Sequence, residues 1–292
     1  MGRRPPATRQ WIRRAAGEVP PTSCLIAYTT YSTPGWSVAQ IAERAAAFDF
    51  EAVELRAYDG ANVPSNLDAA ACAEIRRTIE DRGLRVAAVG TSCRFAPSAE
   101  EAARSVEEGR RYLEIAARLG APLIRVFGGA FERGGVTPDE AVGRVAESLA
   151  ALAEPAKQAG VRIALETHDG FSAGALVGRA LRQVNHPSVG ACWDWLHPFR
   201  VGETPRQTAD HLRGFIIHSH TKDARKDEQG RWQAEHFGHG ILPLGEIYAE
   251  MMAQGFAGPL SFEWERGGDP EPEDALRRYV TGIRALVAAA PR

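Results

Sequence analysis

Four side chains of the kinds that bind metal ions lie at or near the ends of four consecutive strand-like segments. Each segment is short, apolar and rich in β-branched or aromatic residues, which is typical of a buried strand. Three carboxylates and one imidazole suit Mn²⁺, Mg²⁺ or Co²⁺ better than a structural zinc site, which prefers cysteine and histidine. The pattern predicts one divalent-metal centre, and its candidate ligands are Glu166, Asp194, His220 and Glu263.

Each candidate ligand also has an ordinary explanation when it is taken alone. A single glutamate at a strand end is commonly an ion-pair partner, and a single histidine is commonly a hydrogen-bonded core residue. Three carboxylates that converge in a buried place need a compensating cation, because burying unpaired charge is costly. The set as a whole therefore favours a metal centre.

Three further histidines lie close to the candidate ligands in sequence. His168 follows Glu166 by two residues and is expected to face the same space. His197 follows Asp194 by three residues and is expected to orient a substrate or a metal ligand. His218 lies deeper, and two roles stay open for it: a core histidine bonded to the backbone, or a functional one.

The predicted substrate-binding residues include three more charged side chains near strand ends. Lys222 either contacts substrate or pairs with Asp223 at the root of the next loop. Arg125 and Glu54 either shape the pocket or have structural roles. The predicted substrate-binding set is His168, His197, Lys222, Arg125 and Glu54.

Strand-like and helical segments alternate along the whole chain. Helix-end signals support this division, such as the capping box Thr-Pro-Asp-Glu at residues 137–140 and the glycines at 120 and 160. Eight such pairs predict a closed (β/α)8 TIM barrel of class α/β. A doubly wound open sheet is the alternative, but residues 31–35 lack its Gly-rich phosphate turn. The predicted strands are residues 23–31, 51–56, 84–91, 122–127, 161–168, 189–194, 215–220 and 258–265.

The barrel is expected to form a single domain over residues 23–292. Residues 1–22 are expected to be an N-terminal extension, either solvated or a short helix packed outside the barrel. A long polar loop is predicted over residues 221–241, which carry many charged residues and glycines.

Side chains alternate across a strand, so each predicted strand has an inward and an outward face. In the fifth strand, Glu166 and Ala164 share the inward face, opposite Ile163 and Leu165. The other strands follow the same alternation, so that the polar residues of each strand point to one common space. In the seventh strand, this assigns Ile216, His218 and His220 to the inward face.

Composition excludes several classes of protein. The chain has 292 residues and a formal net charge of −2, so a nucleic-acid partner is not indicated. No segment approaches the roughly 18 apolar residues that a membrane span requires. The four cysteines have no paired spacing and are expected to be buried free thiols, which indicates a cytoplasmic protein. The oligomeric state stays open, a homo-oligomer included.

Six motifs occur in the order found in one enzyme family. Over about residues 23–290, the chain resembles the sugar phosphate isomerase/epimerase family with the xylose-isomerase-like TIM barrel. The motifs are Ala-Val-Glu-Leu-Arg (52–56), Leu-Glu-Thr-His-Asp-Gly (165–170), Cys-Trp-Asp-Trp-Leu-His-Pro (192–198), His-Ser-His-Thr-Lys-Asp (218–223), Gly-His-Gly-Ile-Leu-Pro (238–243) and Gly-Pro-Leu-Ser-Phe-Glu-Trp-Glu (258–265).

The resemblance implies that the four candidate ligands bind one divalent ion, with Mn²⁺ favoured and Mg²⁺, Co²⁺ or Zn²⁺ as alternatives. It also implies that Glu166 and Glu263 are an acid/base pair on opposite faces of a sugar substrate, and that His197 contacts a substrate oxygen. The expected enzyme is a sugar isomerase or epimerase. A metal-bound carbonyl of a keto-sugar acidifies the neighbouring C–H, one glutamate removes the proton to give an enediolate, and a proton then returns.

Two departures from the family pattern concern the substrate. His239 stands between two glycines where relatives often carry an acid. Arg225 is the candidate counterpart of the arginine that the epimerases place after the seventh strand.

Three alternative functions follow from the same residues. A lyase, either a dehydratase or a glycoside-eliminating enzyme acting on a keto-sugar or inosose, shares the proton abstraction. It is favoured if Lys222 or His168 lies as an acid beside the leaving group. An apurinic-site endonuclease needs histidines from early strands, whereas the first histidine in this chain is His168. The intact ligand set argues against a non-catalytic binding barrel, although one inactive proton donor would be enough to allow it.

Overall fold

Eight parallel strands form a closed barrel in the computed structural model, which describes residues 24–132, 135–265 and 272–289. Each strand pairs with its neighbours in sequence, and the last strand pairs with the first. The predicted (β/α)8 barrel is therefore confirmed. The barrel strands are β1 (Ile26–Thr29), β2 (Ala52–Leu55), β3 (Arg85–Arg94), β4 (Leu123–Phe127), β5 (Arg162–Glu166), β6 (Val189–Asp194), β7 (Ile216–Thr221) and β8 (Leu260–Phe262).

Helices follow the strands, and the helix-end signals read at residues 120, 137–140 and 160 are observed. Thr137 and Glu140 form the predicted capping box, and Gly160 ends the same helix in the left-handed conformation with φ 67°. The predicted extension over residues 1–22 lies outside the described residues and stays a prediction. The helices are α1 (Val38–Ala47), α2 (Ala69–Glu80), α3 (Ala99–Leu119), α4 (Pro138–Ala159), α5 (Gly174–Val184), α6 (His197–Arg200), α7 (Pro205–His211), α8 (Leu244–Ala253) and α9 (Pro272–Ala289).

Two expectations from composition can be compared with the structure. Cys24, Cys72, Cys93 and Cys192 are buried free thiols, as predicted. Among the described residues, no helix is both long enough and apolar enough to cross a membrane.

The inward and outward faces of the strands follow the predicted alternation with one exception. The outward residues Ile163 and Leu165 belong to the large core between strands and helices, whereas Ala164 packs inside the barrel. Ile217, and not Ile216, joins Ala164 in this inner cluster, so the assignment of Ile216 to the inward face was wrong. The physical reason is an irregularity in the register between β6 and β7. Ala191 pairs with Ile216 and the next residue, Cys192, pairs with His218, so Ile217 is an extra residue without a paired position in β6.

The polar loop predicted over residues 221–241 is partly ordered into a hairpin, so that prediction was wrong in part. Strand residues Asp223–Lys226 pair with Trp232–Glu235 in antiparallel fashion. The Asp223 carboxylate accepts hydrogen bonds from the backbone N–H groups of Gly238, Gly240 and Leu242, at 3.0, 2.8 and 3.3 Å. It is therefore bound to the returning segment, and the alternative pairing of Asp223 with Lys222 is not observed.

Candidate metal centre

Glu166, Asp194, His220 and Glu263 lie together at the C-terminal end of the barrel. Each offers one ligand atom, and the four atoms all lie within 4.8 Å of one another. All four side chains are buried. They converge because β5 to β8 are consecutive parallel strands whose ends meet at one rim.

The two carboxylate oxygens of Asp194 have different surroundings. Its Oδ1 accepts hydrogen bonds from the backbone N–H groups of Leu196 and His197, at 2.8 and 3.0 Å. Its Oδ2 accepts no hydrogen bond from the backbone of the described residues and lies 2.8 Å from the ammonium of Lys222. The start of α6 thus fixes the carboxylate and leaves one oxygen available to a cation.

The Lys222 ammonium lies among three carboxylates. Its Nζ is 2.8 Å from Asp194, 2.5 Å from Glu263 and 2.6 Å from Glu265. Burial alone would lower the pKa of Lys222, but the three carboxylates raise it well above its usual value. Lys222 is therefore charged at neutral pH and neutralises part of the charge of the cluster.

Glu54 lies beneath the cluster and holds two histidines. Its Oε2 is 2.8 Å from Nε2 of His218, 3.0 Å from Nε2 of His220 and 3.0 Å from the hydroxyl of Ser261. Burial disfavours the charged carboxylate, but the two imidazoles lower its pKa well below the usual value. An ionised carboxylate only accepts hydrogen bonds, so both Nε2 atoms must be donors. His218 therefore has a carboxylate partner and not the backbone partner considered from the sequence.

His220 lies between two carboxylates. Opposite the Glu54 contact, its Nδ1 is 2.7 Å from Oε1 of Glu166. Burial would lower the pKa of this imidazole, but Glu54, Glu166 and Glu263 raise it well above the usual value. With its Nε2 proton held by Glu54, His220 presents Nδ1 to the cluster, which is the arrangement that a metal-ligating histidine needs.

Arg125 supports Glu166 from the barrel interior. Its Nε lies 3.2 Å from Oε2 of Glu166, and its Nη1 donates to the carbonyl of Thr91 at 2.9 Å. Its guanidinium also lies 4.0 Å from the ring centre of Phe127. Burial raises the pKa of Glu166, but His220 and Arg125 outweigh it and leave the pKa below the usual value.

Two histidines lie at the rim above the cluster. The rings of His168 and His197 are 4.3 Å apart, and the His168 ring also contacts Phe127 at 4.8 Å. Nε2 of His197 is buried and has no hydrogen-bond partner among the described residues. Burial, with Lys222 nearby, lowers the pKa of His197 well below its usual value. His197 is therefore neutral at pH 7. Nη1 of Arg200 lies 3.4 Å from its Nδ1 and can only donate, so Nε2 carries the ring proton and can donate a hydrogen bond.

The four converging side chains fit a divalent cation. Oε2 of Glu166 and Oδ2 of Asp194 are buried, and among the described residues each is compensated by one cationic side chain, Arg125 at 3.2 Å and Lys222 at 2.8 Å. Two cationic side chains therefore already compensate part of the negative charge that a divalent cation would meet there. The three carboxylates and one imidazole are a suitable donor set for Mn²⁺, Mg²⁺, Co²⁺ or a catalytic Zn²⁺.

The family model described as the xylose isomerase-like TIM barrel matches residues 42–288. The chain belongs to this family. The resemblance inferred from the six motifs is therefore confirmed. A search of curated protein sequences found no significant match.

Several solved structures resemble the chain closely in fold. One is the IolI protein with a bound zinc atom, at TM-score 0.77 and 18% identity, with 90% of this chain and 98% of that chain covered. Another is D-psicose 3-epimerase with D-fructose, at TM-score 0.73 and 16% identity, covering 91% and 100%. A third is the probable 3-DHS dehydratase AsbF from Bacillus anthracis, at TM-score 0.68 and 19% identity, covering 89% and 98%. At these identities, the likeness establishes the fold.

All of the site residues predicted from the sequence lie at or just below the barrel mouth, which is the C-terminal end of the strands. The four predicted ligands and Lys222 form one cluster, and His168 and His197 lie at its rim. Glu54 and Arg125 are buried beneath it, at 0% and 1% exposure. The sequence reasoning missed Ser261 and Glu265 as contacts of the cluster. Their places on the inward face of the eighth strand, beside Glu263, were the available signal.

Proposed function

We propose that this protein is a divalent-metal-dependent sugar isomerase or epimerase that acts on a keto-sugar or a related polyol. One observation carries the proposal. Glu166 and Glu263, from β5 and the segment after β8, meet Asp194 and His220 with their ligand atoms within 4.8 Å. The epimerases among the similar structures agree with this function.

Glu166, Asp194, His220 and Glu263 would hold the ion. A divalent cation there would supply Lewis-acid polarisation of a substrate carbonyl. We favour Mn²⁺, and Mg²⁺, Co²⁺ and Zn²⁺ remain compatible with the same donors. The start of α6 holds Asp194, and Glu54 holds His220, so these two residues serve as fixed ligands. The two glutamates would bind the ion and also transfer protons.

Glu166 and Glu263 are the proposed acid/base pair. Burial raises the pKa of Glu263, but Lys222 and His220 lower it to about 2 overall. His220 and Arg125 likewise bring the pKa of Glu166 below its usual value, against the effect of burial. Both groups are therefore carboxylates at neutral pH, as a base that removes a proton next to a carbonyl must be. The glutamate that removes the proton becomes protonated, and its return of that proton to the neighbouring carbon gives an isomer. For an epimer, the other glutamate takes up a proton from solvent and donates it to the opposite face, and the first glutamate releases its proton to solvent.

We propose different roles for the residues around this pair. His197 is neutral, and Arg200 donates to its Nδ1, so its unpaired Nε2 carries the proton and donates a hydrogen bond to a substrate oxygen at the rim, beside His168. Glu54 and Arg125 were predicted to bind substrate, but their polar atoms contact His220 and Glu166. We therefore propose that Glu54 and Arg125 position those two residues.

A lyase is the second candidate because the Lys222 ammonium lies 2.5 Å from Glu263. There it could protonate a leaving group after Glu263 or Glu166 has removed a proton. The probable dehydratase among the similar structures is in keeping with this alternative.

Solvent-deuterium exchange on a panel of keto-sugars tests the proposal. With Mn²⁺ present, we expect deuterium at the carbon next to the carbonyl together with an epimer or isomer, and we expect both to stop after EDTA treatment. Glu166→Gln and Glu263→Gln should each abolish exchange, whereas Glu80→Gln, on an exposed helix pair with Arg76, is the matched control. Exchange accompanied by loss of water or of an aglycone would assign a lyase. Absence of exchange in a metal-loaded protein on every substrate would refute the proton-transfer mechanism.

A further inference from the structure

Arg56 lies at the barrel mouth and has no role in the cluster described above. It follows the end of β2, and its backbone N–H donates to Thr30 Oγ1 at 2.9 Å, which fixes its position. Its Nη2 donates to the hydroxyl of Ser92 at 3.0 Å. The Arg56 side chain is half-buried and Ser92 is exposed, so the pair borders the open part of the mouth.

No carboxylate neutralises this guanidinium within the described residues. Arg125, its neighbour, has Glu166 and Glu54 within 4.0 Å, whereas Arg56 has no acidic group of the described residues at such a distance. Nη1 of Arg56 is also buried without a hydrogen-bond partner in the same parts of the chain. Burial, and then the charge of Arg125, lower the pKa of Arg56 to about 10, so it remains charged at neutral pH. A buried cation with a free donor is costly unless something compensates it.

The backbone is shaped to accept Arg56 in this place. A Cβ atom at Gly90 would lie 2.9 Å from Cδ of Arg56 and 3.1 Å from Nη2 of Arg125. The missing side chain therefore lets both arginines lie side by side over β3. Two adjacent guanidiniums repel each other, so this arrangement needs a further reason beyond packing.

We infer that Arg56 is an anion-binding subsite, and that the substrate of this protein carries a carboxylate or phosphate group. A neutral hydroxyl would accept a hydrogen bond from Nη1 but leave the charge uncompensated. An oxyanion accepts the hydrogen bond and also compensates the charge. Arg56 lies beside Arg125 over Gly90, and Nε of Arg125 is 3.2 Å from Glu166, so the subsite adjoins the metal cluster. Arg94, exposed at the end of β3 and free of any ion pair among the described residues, adds positive charge at the outer rim. The inference rests on the proposed function for the identity of the reacting sugar, and Arg56 acts as a specificity residue.

Binding of unreactive ligands tests the subsite without using catalysis. Gluconate, glucitol 6-phosphate, inorganic phosphate and the neutral glucitol would be titrated by calorimetry into protein freed of metal by EDTA and desalting. We expect gluconate or glucitol 6-phosphate to bind at least tenfold more tightly than glucitol. Preference for one of the two assigns the carboxylate or the phosphate, and inorganic phosphate reports whether the charged group alone is enough.

Variants at Arg56 connect this preference to the residue. Arg56→Met should weaken binding of the charged polyol by about 10-fold to 100-fold and leave glucitol unchanged. Arg56→Lys should recover part of the loss, because the charge remains but the two-pronged geometry does not. Arg85→Met, at the opposite end of β3 and exposed, is the matched control. If Arg56→Met does not fold, Ser92→Ala should give a several-fold loss by releasing the guanidinium.

The subsite is ruled out if glucitol binds wild-type protein as tightly as both charged polyols, or if Arg56→Met binds the charged polyols like wild type. Deuterium exchange separates this outcome from failure of the proposed function. If no sugar shows deuterium exchange but anion binding still depends on Arg56, only the isomerase proposal is overturned. Exchange on neutral sugars, without any effect of Arg56, would overturn the anion subsite alone.

Discussion

The ammonium nitrogen of Lys222 lies 2.8 Å from Oδ2 of Asp194, a candidate metal ligand. The same nitrogen contacts Glu263, so one lysine joins two of the four proposed ligands. A fixed positive charge inside the ligand set limits how much charge a divalent ion must neutralise. Removing the lysine should therefore destabilise the metal-free protein, and a bound divalent ion should offset that loss of stability.

Replacement of Lys222 by methionine should destabilise the metal-free protein by about 3 kcal/mol or more, because it leaves buried carboxylates unpaired. Mn²⁺ should then compensate, so that the metal-induced rise in melting temperature is larger in Lys222→Met than in wild type. Thermal unfolding with EDTA and with Mn²⁺ measures both effects. Lys157→Met, which removes an exposed helix pair with Glu154, is the control and should leave the metal-induced rise unchanged. A smaller metal-induced rise in Lys222→Met would contradict the assignment.

Metal binding should release protons from His220 and depend on pH. The raised pKa of His220 means that Nδ1 carries a proton in the metal-free protein, and a metal ligand must lose it. Asp194, whose pKa burial raises to about 6, adds to the effect below pH 7. We expect affinity for Mn²⁺ to increase from pH 5.5 to 7.5, with about one proton or more released per ion at the acid end. Calorimetry in two buffers of different ionisation enthalpy counts these protons, and a count of zero throughout would exclude His220 as a ligand.

The same pKa shift predicts how the metal-free protein responds to alkaline pH. The folded pKa of His220 lies above its unfolded value, which is about 6.5. Its contribution to the free energy of unfolding is therefore complete below that value and is lost as the pH rises through the folded pKa. Melting temperatures measured with EDTA from pH 6 upward should fall, and His220→Gln should remove this component of the pH dependence.

Replacement of Glu54 by glutamine should weaken metal binding without changing a ligand. The Glu54 carboxylate holds the Nε2 protons of His218 and His220, so its loss frees the His220 ring to reorient. Removing such a partner of a ligating histidine typically lowers metal affinity by about 10-fold to 100-fold. Mn²⁺ titration measures the change. Ser261→Ala, which removes only the hydroxyl contact to Glu54, should have a smaller effect in the same direction.

Replacement of Asp223 by alanine should destabilise the segment after β7. Its buried carboxylate accepts hydrogen bonds from the backbone N–H groups of Ala224, Gly238, Gly240 and Leu242, so four backbone donors would lose their partner. We expect a loss of about 3 kcal/mol in the free energy of unfolding, measured by urea denaturation. Asp227→Ala, in the exposed turn of the same hairpin, should lose less. Equal losses in both variants would show that Asp223 is not a specific anchor.

The sequence by itself determined the barrel and the set of candidate ligands. Strand and helix periods, caps and glycines are local signals, and eight strand–helix pairs leave few closed topologies. Glu166, Asp194, His220 and Glu263 could be selected because each lies at the end of an apolar segment, and parallel strands bring such ends together.

Only the tertiary structure decided how these residues are connected. Glu54 and His218 are separated by 164 positions in the chain, and their 2.8 Å contact exists because β2 and β7 face each other across the barrel interior. The register irregularity that turns Ile217 inward depends on pairing between β6 and β7, which alternation within one strand does not report. The contacts of Lys222 with Asp194 and Glu263, and the unpaired charge of Arg56, likewise depend on which side chains meet across the mouth. The separation of two residues along the sequence does not predict these contacts, because the closure of the barrel determines which side chains meet.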